Sequence, residues 1–390
     1  MKVVLASYGT RGDVEPFATV GRELLRRGHD VCMAVPPNMV GFLEAAGFAA
    51  VPFGPEPLSS VRNRTVEDPA SAMAEQVEYL SRAMEEWGTT LTALANGADL
   101  LLTGRIEQGL AANVAEYCGI PQAALHFFPG AHSRLSGWVG DTTEEAEDAQ
   151  RRALGLPEAT EHSTRCLEIQ AYDALCFPEL AAEWADGDDW RPLVGALTLE
   201  LPTEADDEVL SWIAAGTPPI YFGFGSGVWL QNPAQTFGLI SVACARLGER
   251  ALICSGASDF ADAPHSDQVK IVGAVNHSAV FPACRAVVHQ GGAGTTAAGM
   301  RAGIPTLVLW HPINDQQIWA DAVTRLNVGS GRAFSASNLG SLVADLRSIL
   351  DPQCITRARE VAAQMTKPAV SVARAADLLE HAGRLGRVSA

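Results

Sequence analysis

The segment Val287-Val288-His289-Gln290-Gly291-Gly292-Ala293-Gly294-Thr295-Thr296 holds the densest set of residues suited to chemistry. An apolar run ends in a histidine, turns through glycines and enters a small-residue helical pattern. Glycines let a ligand approach the main chain. A helix start offers unpaired N–H groups and a positive dipole end, which suits a diphosphate. Thr295 and Thr296 add hydroxyls. The same pattern also describes a tight strand–helix turn with no ligand, and the bare spacing leaves both readings open. It is not an ATP-type phosphate loop, because the lysine of G-x-x-x-x-G-K-[ST] is missing.

Three further turns follow apolar runs. Trp310-His311-Pro312-Ile313-Asn314-Asp315-Gln316-Gln317 places a carboxylate beside an amide, a pair suited to sugar hydroxyls; Asp315 as the cap of the next helix is the competing reading. Gly223-Phe224-Gly225-Ser226-Gly227 is a weaker phosphate candidate, through Ser226 and the main chain. Ser7-Tyr8-Gly9-Thr10-Arg11-Gly12-Asp13 brings Asp13 to the mouth of a helix, either as its N-cap or as a general base. Asp186-Gly187-Asp188-Asp189 contains D-x-D, a divalent-metal pattern elsewhere; in its acidic, Pro-flanked setting it reads as a solvated loop. The nine histidines and eight cysteines show no metal-ligand spacing, so no metal is expected.

These turns need strands to end at them and helices to begin after them. Val3–Ala6 reads as the first strand. Val14, Phe17, Val20, Leu24 and Leu25 then recur at helical spacing, with Pro16 early and Gly28 as the stop. Val31–Val35, Ala49–Phe53, Leu100–Thr103 and Gln122–His126 continue a strand series. A second series runs through Pro219–Gly223, Ala251–Cys254, Val269–Val272, Ala286–His289 and Pro305–Trp310. Strand–helix alternation implies parallel sheets covered on both faces, with ligands at the strands' carboxyl ends. Between the series lies a Pro-punctuated acidic stretch with one helical pattern, Glu204 to Ala214. The expected organisation is therefore α/β with two Rossmann-like domains: residues 1–200, a linker 201–217, residues 218–370, and a C-terminal helix 371–390.

Composition narrows the partners. The chain has 390 residues, 47% hydrophobic and 19% charged, and a net charge of −17 from 28 basic and 45 acidic side chains. That excludes disorder and argues against nucleic acid, which asks for a basic face. Lys2, Lys270 and Lys367 are the only lysines and no basic cluster exceeds a doublet, so no stable membrane association is expected. The opening Met1–Ala6 is too short to read as a signal peptide, and no apolar run reaches the roughly 18 residues a spanning helix needs. Cysteines without any C-x-x-C pair read as reduced thiols of a cytoplasmic protein.

Taken in order, Ser7 through Pro16 (S-x-G-[ST]-R-G-D-x-x-P), Gly223–Gly227, Val275-Asn276-His277, the His289–Thr296 segment and Asp315-Gln316 resemble the bacterial natural-product glycosyltransferases, notably those that glycosylate vancomycin-group antibiotics. The likeness runs from Val3 to about Gly329. It implies a GT-B fold: two Rossmann-like domains with parallel sheets facing across a cleft, the first for the acceptor and the second for a nucleotide-diphosphate sugar. It further implies Asp13 as base in an inverting, metal-independent transfer to a hydroxyl of a secondary-metabolite aglycone. Gly12, Ser226, Val275, His289, Gly291, Gly292, Gly294, Thr295, Thr296, Asp315 and Gln316 are the implied donor contacts. Thr10, His126 and Phe127 are the acceptor-side candidates, the latter two also readable as packing at a sheet end. The nucleotide sugar, dTDP- or UDP-linked, is a substrate, so no cofactor is expected. Relatives carry Pro at the position of His311, a departure that bears on the sugar. Two alternatives keep the fold: a nucleotide-sugar 2-epimerase, and a catalytically silent nucleotide-sugar-binding partner.

Overall fold

The computed structural model describes residues 1–57, 69–129, 138–158, 166–185, 190–225, 232–256, 267–311 and 315–388. They form two units. The first comprises Met1–Ala174, Pro178–Leu199 and Thr366–Ala390; the second comprises Leu175–Phe177 and Glu200–Met365.

The first unit is built on a six-stranded sheet: β1 (Lys2–Ala6), β2 (Asp30–Val35), β3 (Ala49–Pro52), β4 (Leu100–Thr103), β5 (Gln122–His126) and β6 (Leu167–Gln170). The order is β3-β2-β1-β4-β5-β6, parallel throughout. Its central strands are apolar on both faces, as helices on both sides require. Val4, Ala6 and Leu101 pack with Trp87, Leu91, Leu110 and Val114 of the helices Pro69–Ala95 and Gln108–Cys118. Val3 and Leu5 are equally buried on the alternate positions. The last helix, Pro368–Val388, groups with this unit and packs on the first helix, Arg11–Arg26, where Arg27 meets Asp377 at 2.7 Å and His29 meets Glu380 at 2.8 Å.

The second unit repeats the plan with β7 (Ile220–Gly223), β8 (Ala251–Cys254), β9 (Val269–Val272), β10 (Ala286–His289), β11 (Thr306–Trp310) and β12 (Gly329–Ala333). Its order, β12-β11-β10-β7-β8-β9, is the first unit's order read from the other edge. Strand residues alternate between two cores. Ile220, Phe222, Ile253 and Val288 face one side; Tyr221, Leu252, Cys254 and Val287 face the other. The 201–217 stretch, expected as a linker, carries the helix Asp206–Ala214, and its Val209 and Ile213 are buried in this second core.

Two strands escape the sequence pattern, β6 and β12, and they occupy the same place: the sixth strand of each sheet. Leu167-Glu-Ile-Gln is short and half polar. Gly329-Ser-Gly-Arg-Ala has low strand propensity, but its glycines are demanded by packing. A Cβ on Gly331 would stand 2.5 Å from that of Ala320, and one on Gly329 would run into the Thr306 carbonyl. Among the described residues no helix is long and apolar enough to cross a membrane. All eight cysteines are unpaired thiols, five of them buried.

Candidate active site

In each sheet the strand order reverses direction once, between β1 and β4 and between β7 and β10. Ligands of open parallel sheets bind outside the carboxyl ends at such points. Three of the four turns singled out in the sequence, those after β1, β7 and β10, leave the sheets there; the fourth follows the neighbouring strand β11.

In the second unit β7 and β10 end side by side, with Gly223 opposite His289. His289 is completely buried. Its Nδ1 accepts the Gly291 N–H at 3.0 Å, which puts the ring proton on Nε2. That Nε2 is buried and has no hydrogen-bond partner among the described residues. Burial drives the imidazole down to about 3, so the ring is a neutral donor at any physiological pH. A buried donor left unsatisfied is costly, which makes this N–H a candidate ligand contact. The helix Ala293–Arg301 begins two residues on from Gly291. Its N-cap is Gly292, and no side chain caps it, so its first amides keep their hydrogen-bonding capacity. Gly294 is exposed, and nothing lies within 4 Å of where its Cβ would be.

Neighbouring turns hold this one in place. Gly291 has φ of +101°, and a Cβ there would stand 2.8 Å from the Gln316 carbonyl oxygen. Gly225 has φ of +76°, and a Cβ there would lie 2.4 Å from Gln290 Nε2. Gln316 is buried and accepts the His311 N–H at 2.8 Å, closing the loop after β11. Asp315 stands at the N-cap position of the helix Gln316–Arg325, yet its carboxylate accepts from the Trp319 indole at 2.8 Å instead of capping. The His311 ring stacks on Phe334, 4.8 Å between centroids.

Other donor-side candidates divide by exposure. Thr295 is half-buried, whereas Thr296 is buried and its hydroxyl donates to the Gly292 carbonyl at 2.8 Å, inside the helix. Val275 is buried and its side chain belongs to the core with Tyr221 and Phe281. Asn276 caps the short turn after it, and its own N–H is held by Asp206 at 2.8 Å. Ser226 and the D-x-D motif at 186–188 lie outside the described residues.

In the first unit Asp13 is not the N-cap. That position is Thr10, and Asp13 is the third helical residue of a capping box. Its Oδ2 accepts both the Thr10 N–H, at 2.5 Å, and the Thr10 hydroxyl, at 3.0 Å. Both Thr10 bonds fall on Oδ2, leaving Oδ1 outside them. Desolvation of the half-buried carboxyl raises it above its ordinary range, opposed by the Thr10 bonds, so the carboxylate is a stronger base than a surface Asp. Gly9 makes this possible: with φ of +141°, its Cβ would lie 2.3 Å from Asp13 Oδ2. Gly12 sits inside the same first turn. Thr10, expected at the acceptor, has both its N–H and its hydroxyl committed to Asp13.

Sequence reading missed a second carboxylate here. Glu107, just beyond β4, is 2% exposed and accepts the Tyr8 N–H at 2.8 Å. A buried network at the ends of β5 and β6 was missed as well. His126 Nε2 faces Gln108 Oε1 at 2.9 Å, and its Nδ1 faces the Gln170 amide at 3.4 Å. Gln108 and Arg191 both donate to Glu168, each at 2.9 Å, and Tyr172 donates to Gln170 at 2.8 Å. Both nitrogens of His126 are thus engaged by protein, and burial holds the ring neutral, down to about 4. Phe127 is half-buried, edge-on to Phe128. Among the described residues no group of three His, Cys, Asp or Glu side chains is placed to hold a metal.

Comparison with known proteins adds independent information. Residues 3–96 match the glycosyltransferase family 28 N-terminal domain, and residues 253–381 match the C-terminal domain of erythromycin biosynthesis protein CIII-like proteins. The chain is 54% identical to the uncharacterized glycosyltransferase Rv1524 of Mycobacterium tuberculosis, covering 99% of this chain and 100% of that protein. It is 30% identical to glycosyltransferase GtfE of Amycolatopsis orientalis, covering 97% of each. Among solved structures, the calicheamicin glycosyltransferase CalG4 superposes with a TM-score of 0.75 at 19% identity, over 100% of this chain and 99% of that one. Glycosyltransferase VinC, solved in complex with dTDP, gives 0.69 at 17% identity, over 98% and 100%. With two Rossmann-like sheets and relatives that match it end to end, the chain belongs to the GT-B glycosyltransferases of the bacterial natural-product family.

Proposed function

We propose that this glycosyltransferase moves a sugar from a nucleoside-diphosphate donor, dTDP- or UDP-linked, to a hydroxyl of a small-molecule aglycone, with inversion at the anomeric carbon. The observation that carries this reading is the buried, unpartnered Nε2–H of His289 beside an uncapped helix start. Both offer hydrogen-bond donors without a positive charge on the ring, which suits the oxygens of a diphosphate. The dTDP in the VinC complex supports the same choice of ligand.

The chemistry then follows from charge. The acceptor hydroxyl attacks the anomeric carbon as the bond to the diphosphate oxygen breaks. Its proton passes to Asp13 Oδ1, the oxygen not already engaged by Thr10. General base catalysis of this kind is worth roughly 10²–10⁴ in rate. Negative charge grows on the leaving diphosphate, where the His289 N–H and the first amides of Ala293–Arg301 are fixed in advance. Asp315 and Gln316, at the next strand end, are the proposed contacts to the transferred sugar. One displacement at carbon inverts the centre. Stabilisation by fixed N–H groups makes the reaction independent of divalent metal, so turnover in excess EDTA should equal turnover without it.

The test is a panel of nucleoside diphosphates and their sugars, read by calorimetry and then by product mass spectrometry against aglycones. Binding of a pyrimidine nucleoside diphosphate with a 1:1 stoichiometry is expected. No binding of any member would overturn the reading.

A further inference from the structure

Glu107 stands at the N-cap position of the helix Gln108–Cys118, where a carboxylate ordinarily accepts an amide of its own helix. It makes no such bond. Its Oε1 instead crosses from the end of β4 to the end of β1 and accepts the Tyr8 N–H at 2.8 Å. Two residues further on, Asp13 accepts the Thr10 N–H at 2.5 Å. Two carboxylates from different strand ends therefore grip one loop on either side of Gly9. The sequence leaves room for both. A Cβ on Gly9 would strike Asp13 Oδ2, and one on Gly104 would lie 2.6 Å from Glu107 Oε2.

We propose that Glu107 is a positioning residue for Asp13: it fixes the Tyr8–Thr10 segment from the β4 side and sets the proton affinity of the Asp13 carboxylate as its like-charged partner in one site. This rests on Asp13 being the base. Tyr8, whose N–H Glu107 accepts, is faced in turn by Tyr79 and Glu86 of the helix Pro69–Ala95, neither of them basic. Among the described residues no basic side chain is paired with either acid. Burial, with the Asp13 charge adding to it, raises Glu107 to about 7. Asp13 is raised as well, so both acids hold their protons to higher pH than surface carboxyls do.

The direct test labels the full chain with ¹³C at aspartate side-chain carboxyls and follows Asp13 by NMR, its resonance being the one missing from the Asp13→Asn spectrum. Glu107→Gln keeps an oxygen for the Tyr8 N–H and removes only the charge. Asp13 should then titrate at lower pH than in the unaltered protein. Gly104→Ala is the second variant: it forces the Glu107 carboxylate from its seat with the charge retained, and should also move the Asp13 midpoint. In a turnover assay with the donor and aglycone identified by the panel, Glu107→Gln should lower kcat by about tenfold with donor KM unchanged. An Asp13 midpoint identical in all three proteins would overturn the proposal. Full activity of Asp13→Asn would instead overturn the assignment of the base, so the two failures are distinguishable.

Discussion

The two sheets share one strand order, yet their reversal points carry opposite chemistry. Where β1 meets β4, two carboxylates close on a loop and already hold its N–H groups. Where β7 meets β10, the buried group is a neutral imidazole with an unused N–H, next to glycines and an uncapped helix. In the proposed function the first takes a proton and the second receives an anion. The topology supplies the location, and the residue types at the strand ends decide what happens there. On the proposed function, the contrast also accounts for diphosphate binding by a chain of net charge −17. The favourable field is local, made of fixed N–H dipoles and not of cations.

The sharpest way to break this contrast is to disable one site and read the other. Asp13→Asn should reduce kcat by about 10²–10⁴ while leaving nucleoside-diphosphate affinity unchanged, measured by steady-state kinetics and calorimetry. Loss of affinity there would mean the two sites are not chemically separate. Next come the glycines that make room for each site. Gly9→Ala would push the Asp13 carboxylate aside and should lower kcat at least about tenfold with diphosphate binding intact. Gly291→Ala meets the Gln316 backbone at a positive φ; it should cost about 1–3 kcal/mol in urea unfolding and weaken the diphosphate, not the base.

A smaller effect tests the acidic site through stability alone. Glu107 is raised in the folded state, so its contribution is complete below its ordinary value of 4.5 and is lost as pH rises through about 7. Glu107→Gln removes that loss. Relative to the unaltered protein it should gain about 1–3 kcal/mol between pH 5 and pH 8.5 in urea unfolding. No such pH-dependent gain would mean Glu107 is ionised at no cost. The smallest effect is expected from the global field: Glu360→Lys, reversing an exposed acid paired with Arg357 at 3.0 Å, should change diphosphate affinity by less than about twofold.

The anion site was largely legible in the sequence, because it is contiguous. A strand, its terminal histidine, the glycines and the helix start are consecutive residues, and periodicity finds each of them. The acidic site is assembled from two strand ends nearly a hundred residues apart, and only its Asp13 half lies in a recognisable motif. Gly104, directly after a buried strand, was the available clue to Glu107. Register with β1, which pairs Ala6 with Thr103, was needed to read it. His126 looked open to an acceptor for the same reason: its partners Gln108 and Gln170 come from other segments. The sixth strands were hidden differently, β6 by its brevity and β12 by glycines that packing requires and propensity penalises. Asp13 itself was misplaced by three positions within its helix turn, since a Thr three residues earlier makes the capping box.

The proposed role of the His289 turn is to bind a nucleoside diphosphate through the imidazole Nε2–H. Calorimetric titration of dTDP and of UDP into the unaltered protein and into His289→Ala tests it most directly. At least one nucleotide should bind the unaltered protein, and the variant should bind it at least about tenfold more weakly, the worth of one buried hydrogen bond to a charged group. Equal affinity in the two proteins, with the fold of His289→Ala intact, would contradict the account.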